Sequence, residues 1–243
     1  MLASDTLPIV DFSALGASEA ADLALARELD GILRTIGFCY FRNIEVSQEL
    51  VDGLFRESAR FHSLPEGEKR RLAMNAAHRG YMAPNSSVIV TSTVANVRRP
   101  NYSESLMIMH EVEPSDPRYG TEVHGPNMWQ ELAGFREAVG AYEAAMRGFC
   151  MKLLRPTALA LDLPADWFVR HFERPTTFLW LLHYPPQPAN AAPDAFGSAP
   201  HTDYGFLTIL CQDSAGGLEV RRADGTWVVN VADMLSRWTN RRW

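Results

Sequence analysis

The sequence has 243 residues, 47% of them apolar, enough to bury a substantial core in one large domain or two intimate ones. A formal net charge of −6 and a pI near 5.7 argue against nucleic acid or an anionic membrane as the principal partner. Cys39, Cys150 and Cys211 are too widely spaced for a disulfide framework or a zinc ribbon, no basic-then-apolar leader is present, and the apolar runs are too short to cross a bilayer. A reducing cytoplasm is therefore the expected location.

Taken in chain order, residues 7–12 (LPIVDF) predict a short strand. Residues 18–37 carry Leu23, Ala26, Leu29 and Leu33 at helical spacing and stop at Gly37. The aromatic-rich stretch 38–44 predicts a second strand. Ser47 is the expected N-cap of a helix over 47–64 with Leu50, Leu54 and Phe61 on its apolar stripe and Pro65 just beyond it. Residues 65–74 are charged and predict a short exposed helix. Residues 79–103 are rich in turn formers and predict hairpins and loops, with 87–94 (SVIVTSTV) as one strand candidate. Another strand is expected over 104–111, followed by a loop over 114–127.

From Met128 to Leu154, the residues Leu132, Phe135, Val139, Tyr142, Met146, Phe149 and Leu153 step by three and four. That spacing predicts a long amphipathic helix packed under a sheet, ended or kinked by Pro156. From residue 176 the texture becomes β: TTFLWLLHYPP, FLTILCQD, GLEVRR and TWVVNV, with a Pro/Ala/Gly-rich loop over 187–200 between the first two. Strands in quick succession with turn signals favour an antiparallel sandwich or jelly roll, and the lack of strand–helix–strand alternation here argues against a doubly wound sheet.

Within this β region, His201 and Asp203 are two residues apart in HTDYGFLTIL. On a strand, side chains two apart share a face, so an imidazole nitrogen and a carboxylate oxygen would aim at one point. That donor pair suits divalent iron, manganese or zinc, with a third ligand needed to hold the ion. The alternative is a surface turn in which Asp203 caps backbone donors and His201 is solvated. His183 alternates with Tyr184, should face the opposite way, and reads as structural. His62, His78, His110, His124 and His171 have no ligand-like neighbours in sequence and read as ordinary histidines.

The segments LPIVDFSAL, IGFCYFRN, RGYMA, LLHYPP, HTDYGFLTILCQD, GGLEVRRADGTW and DMLSRWTN occur in this order. In them the chain resembles the isopenicillin N synthase-like family of non-haem Fe(II)/2-oxoglutarate-dependent oxygenases. The resemblance implies an α+β, mainly β fold: a double-stranded β-helix (jelly roll) backed by helices, incomplete within this chain. It implies an N-terminal region over 1–125 and a support helix plus catalytic core over 126–243, packed as one compact unit. His201 and Asp203 match the first two members of the 2-His-1-carboxylate iron triad, and Tyr184 matches a tyrosine that helps hold 2-oxoglutarate. The implied reaction oxidises a small-molecule substrate with O2, by hydroxylation, desaturation or ring closure, and converts 2-oxoglutarate to succinate and CO2.

Several positions depart from the family pattern. The chain stops at Trp243, where the family continues to the second histidine of the triad and to an arginine and a serine that grip 2-oxoglutarate. The DGTWVVNVADML segment lacks a turn, Leu182 replaces an asparagine, and Ala232 and Arg241 replace glycines. The expectation is that segments of the working protein are absent from this chain, or else that it is a shortened homologue without turnover. A non-catalytic binding protein of the same fold and an oxidase that dispenses with 2-oxoglutarate are the alternatives. A zinc hydrolase is remote because no HExxH arrangement accompanies HTD. Arg79, Arg98 and Arg99 are cationic candidates for an acidic substrate, against the plainer reading of exposed loop arginines.

Overall fold

Ser18 and Ser47 start the first two helices. Each side chain accepts the backbone N–H three residues on, from Ala21 and Leu50, which satisfies a donor the helix itself leaves unpaired. The structure is a computed structural model and describes residues 7–88, 97–186, 189–192, 194–215 and 227–243. Its helices are α1 (Glu19–Leu33), α2 (Gln48–His62), α3 (Glu66–Lys69), α4 (Phe135–Ala160) and α5 (Asp233–Trp238). Its strands are β1 (Ile9–Asp11), β2 (Phe38–Arg42), β3 (Gly80–Met82), β4 (Glu104–Met109), β5 (Phe178–His183), β6 (Leu207–Leu210) and β7 (Trp227–Val231). The described chain is a mixed α+β fold whose sheets are backed by helices, and neither sheet closes into a barrel among the described residues. The strand candidate at 217–222, and all but the first two residues of that at 87–94, lie outside the described residues.

The chain groups into two compact units, each assembled from separated segments. The first comprises Met1–Val46, Ala145–Arg174 and Thr202–Trp243. Its sheet runs β1-β2-β7-β6. The β2–β7 and β7–β6 pairs are antiparallel as expected, but β1 lies parallel to β2. The reason is the connection: α1 separates the two strands, and a helical crossover returns the chain in the same direction. Phe12, Phe41 and Phe149 form the aromatic centre of this unit, with the Phe12 ring 4.4 Å from Phe41 and 5.3 Å from Phe149. A second cluster gathers Leu154, Ala158 and Phe168, with Phe172 and Phe206 packed against it.

The second unit comprises Ser47–Ala144 and Pro175–His201. Its sheet is antiparallel, β3-β4-β5, and all six residues of the central β4 are buried. Phe61 of α2 stacks on Phe135 at 5.8 Å and meets Tyr81 edge-on at 6.0 Å. The expected exposed helix at 65–74 is only partly so, because Lys69 is buried.

The long helix α4 runs through both units and corrects its expected boundaries. It starts at Phe135, not near Met128, because Gly134 adopts a left-handed φ of +80° and breaks the approach. It passes Pro156 and ends at Ala160. Leu153, Leu154, Thr157 and Ala158 are buried around the proline, and this packing outweighs the one backbone bond that proline cannot make. Among the described residues, no helix is long and apolar enough to cross a membrane.

Asp30 of α1 collects three donors in the first unit. It pairs with Arg34 and Arg242 at 3.1 Å each and accepts the Trp243 indole N–H at 2.8 Å. Asp30→Ala is predicted to leave the indole donor unsatisfied and to lower stability by about 1–3 kcal/mol. Urea denaturation followed by circular dichroism measures this, and an unchanged midpoint would contradict it.

Candidate functional site

The register of β4 and β5 places Glu104 opposite His183. In the second unit this pair becomes the centre of a buried polar cluster. Glu104 Oε2 accepts Lys69 Nζ at 2.6 Å and the Tyr81 hydroxyl, while Oε1 faces His183 Nδ1 at 2.8 Å and His62 Nδ1 at 3.8 Å. Lys69 Nζ also donates to the His62 carbonyl at 3.0 Å. The rings of His62 and His183 stack at 5.2 Å, and His62 Nε2 bonds the Leu181 carbonyl at 3.1 Å.

Burial alone would raise Glu104, but bonds from Lys69, Tyr81 and His183 outweigh it and hold the carboxyl at about 2. Burial lowers His62 to about 4, so its ring is neutral at pH 7. Burial and Glu104 push the Tyr81 phenol upward, which keeps it a donor.

His62, Glu104 and His183 bring three ligand atoms within 4.8 Å of one another, the donor set of a two-histidine, one-carboxylate metal site. The reading of His62 as an ordinary histidine missed this. The cluster also contains its own cation. With Lys69 on one carboxylate oxygen, the glutamate is neutralised, and a divalent ion on the other oxygen would face that ammonium.

The residues singled out from the sequence lie at the loop after β5. Tyr184 follows His183 directly. Its ring packs against Gly197, where an added Cβ would meet Cδ1 at 2.6 Å. Burial first, then the Tyr102 phenol, raises the Tyr184 pKa. The loop is tied to the segment before β4: Tyr102 N–H donates to the Phe196 carbonyl at 3.1 Å and Ser103 N–H to the Gly197 carbonyl at 3.3 Å. Ala199 N–H donates to Asn101 Oδ1 at 3.0 Å, and Arg99 pairs with Asp194 at 2.7 Å.

His201 is the last residue of the second unit, and Asp203 lies in the final segment of the first. Neither is on a strand, because β6 begins only at Leu207. The expected strand alternation therefore does not carry this pair. Pro200 cannot donate to a ladder, and the Asp203 carbonyl is used instead by the Asp233 N–H of α5 at 2.8 Å. His201 is exposed, and its Nδ1 lies 2.7 Å from the Ala199 carbonyl. An Nδ1–H donated there puts the ring lone pair on Nε2, the tautomer of a metal-binding imidazole. An imidazole and a carboxylate are donor types that suit ferrous iron.

The arginines divide. Arg79 is fully buried, not an exposed loop residue, and donates to the Ala77 carbonyl at 2.9 Å and the His110 carbonyl at 3.0 Å. Arg99 is exposed and paired with Asp194, and Arg98 is exposed.

Comparison with known proteins bears on the whole chain. Residues 7–132 match the family described as non-haem dioxygenase in morphine synthesis N-terminal, and residues 175–243 match the 2OG-Fe(II) oxygenase superfamily. Azadirone synthase LFS of Melia azedarach is 33% identical over 224 residues, covering 84% of this chain and 66% of that protein. The chain thus spans about two thirds of that relative's length. The 2-oxoglutarate-dependent dioxygenase gloF of Glarea lozoyensis is 31% identical over 229 residues, covering 86% of this chain and 69% of that one. Among solved structures, a full-length Neurospora crassa protein crystallised with alpha-KG matches at a TM-score of 0.83 and 29% identity, covering 99% of this chain and 78% of that one.

The buried cluster predicts a definite acid response in protein without added metal. The folded-state pKa of His62 is depressed from 6.5 to about 4, so stability is fully present above 6.5 and is lost as pH falls toward 4. Glu104 adds a second loss between 4.5 and about 2. Glu104→Gln leaves Lys69 buried against a neutral amide and is predicted to destabilise by about 3–5 kcal/mol. Urea midpoints across pH check both statements, and a loss below about 1 kcal/mol for the variant would contradict the second.

Proposed function

The chain belongs to the 2OG-Fe(II) oxygenase superfamily, whose chemistry joins Fe(II), 2-oxoglutarate and O2, and on that premise we propose that it oxidises a small organic substrate by hydroxylation, desaturation or ring closure, releasing succinate and CO2. The finer placement as isopenicillin N synthase-like, with a double-stranded β-helix as its core, belongs to the same proposal and is supported by the ordered segments from LPIVDFSAL to DMLSRWTN.

The observation that carries the reading is the His-x-Asp pair with the bonds that hold its turn. His201 and Asp203 would hold the iron, and Fe(II) when bound supplies the O2 chemistry that no side chain can. The Ala199 carbonyl orients the His201 ring through Nδ1. Thr202 Oγ1 donates to Asp233 Oδ2 at 3.1 Å, and this bond together with the Asp233 N–H holds the turn that carries Asp203. Tyr184, protonated at neutral pH as any phenol is, would donate its O–H to a carboxylate oxygen of 2-oxoglutarate. Phe178, Trp180 and Leu182 are exposed and share the face of β5 opposite His183. They would supply an apolar wall that displaces water from the substrate.

A second reading places the ion on His62, Glu104 and His183, and the observation in its favour is that those donors are already assembled. The buried ammonium of Lys69 opposes it.

One experiment separates these readings. Fe(II) and 2-oxoglutarate added without oxygen are predicted to give the weak visible absorption of the chelate. His201→Ala and Asp203→Ala are each predicted to abolish the band, with folded Glu104→Gln protein retaining it. The reverse pattern would move the iron to the buried cluster, and no band in the unmodified protein would overturn the oxygenase reading. On admission of O2, succinate formation distinguishes use of 2-oxoglutarate from an oxidase that does without it.

A further inference from the structure

Gly197 has no conformational need to be glycine. Its φ is not in the left-handed region that only glycine occupies with ease, so the reason lies in space. A Cβ at this position would lie 2.6 Å from Tyr184 Cδ1, 3.2 Å from Tyr184 Cε1 and 3.4 Å from Tyr102 Cζ. The bare Cα therefore seats the flank of the Tyr184 ring, with the Tyr102 ring as the adjoining wall.

The backbone is held on both sides of this contact. On the loop side, the Phe196 and Gly197 carbonyls take backbone N–H bonds from Tyr102 and Ser103, and Asn101 and Arg99 hold Ala199 and Asp194. On the strand side, Glu104 grips His183, one residue before Tyr184, and His62 grips the Leu181 carbonyl. The end of β5 is fixed by these two bonds on its buried face, and the phenol is steered by Gly197 and Tyr102 beyond it. A methyl at 197 must move the ring by about 1 Å to reach ordinary carbon contact.

We propose that Gly197 is a positioning residue that aims the Tyr184 phenol at the 2-oxoglutarate carboxylate, with Tyr102 and the Glu104–His183 bond completing the support. This rests on the role given to Tyr184 under the proposed function. A hydrogen bond to a carboxylate depends steeply on direction and distance, so a ring displaced by this amount loses most of what the phenol contributes.

The test is titration of 2-oxoglutarate into the anaerobic Fe(II) protein, read by the visible band and by calorimetry. Tyr184→Phe is expected to weaken 2-oxoglutarate binding by about tenfold, and Gly197→Ala by a comparable factor. The double variant G197A/Y184F is expected to be no weaker than Y184F alone, because Gly197 acts through the hydroxyl that Y184F has already removed. If Y184F leaves binding unchanged, the assignment of Tyr184 itself fails. If Y184F weakens binding but G197A does not, or if the two effects multiply in the double variant, the positioning role is overturned. Should G197A fail to fold, G197A/Y184A opens the space that the methyl needs. Recovery of the fold then supports the ring contact as the constraint, and continued misfolding overturns it.

Discussion

A carboxylate and an ammonium buried together govern the second unit. Lys69 and Glu104 meet at 2.6 Å with both side chains nearly inaccessible, and each would be costly to bury alone. The pair commits α3 to contact with the start of β4. Tyr81 of β3 and His183 of β5 then bond the carboxylate oxygens, and His62 of α2 approaches them with Nδ1 at 3.8 Å. One anion thereby ties three strands and two helices into a single arrangement. The neighbouring loop, with Tyr184 and His201, is built outward from strand β5, whose last residues this arrangement fixes.

Electrostatics also separates the two sets of metal-type donors. Near Glu104 the carboxylate charge is already balanced inside the protein, so the cluster serves as an internal salt bridge with hydrogen-bonding histidines around it. Around residues 201–203 two bonds support ligand orientation: a carbonyl on the far nitrogen of the imidazole, and a helix start holding the aspartate's turn. A ligand supported through its remote atom is what divalent iron chemistry requires.

Most local structure was legible in residue pattern. Ser47 capped the helix it was expected to cap, and the strands at 9–11, 38–42, 104–109 and 178–183 fell inside their apolar runs. Two kinds of feature were not legible. Gly134 ended the approach to α4 through a left-handed turn that the apolar spacing did not register, and Pro156 was overridden by burial around it. The cluster of His62, Lys69, Glu104 and His183 joins residues up to 121 positions apart, and no local pattern marks it. Arg79 looked like a loop cation and proved buried for the same reason. The HTD motif was legible as a donor pair, but its strand setting was not, because proline and the demands of α5 held it outside the ladder.

The pairing of β2 with β7 also has a consequence for biosynthesis. Phe38 lies opposite Asn230, so one edge of β2 waits until synthesis has passed Asn230 before its partner exists. Until then the nascent polypeptide holds an aromatic strand, FCYFR, with unpaired backbone groups on that side. Closing a loop of that length makes sheet completion a late and slow event, and it makes this protein dependent on whatever shields that edge in the interval.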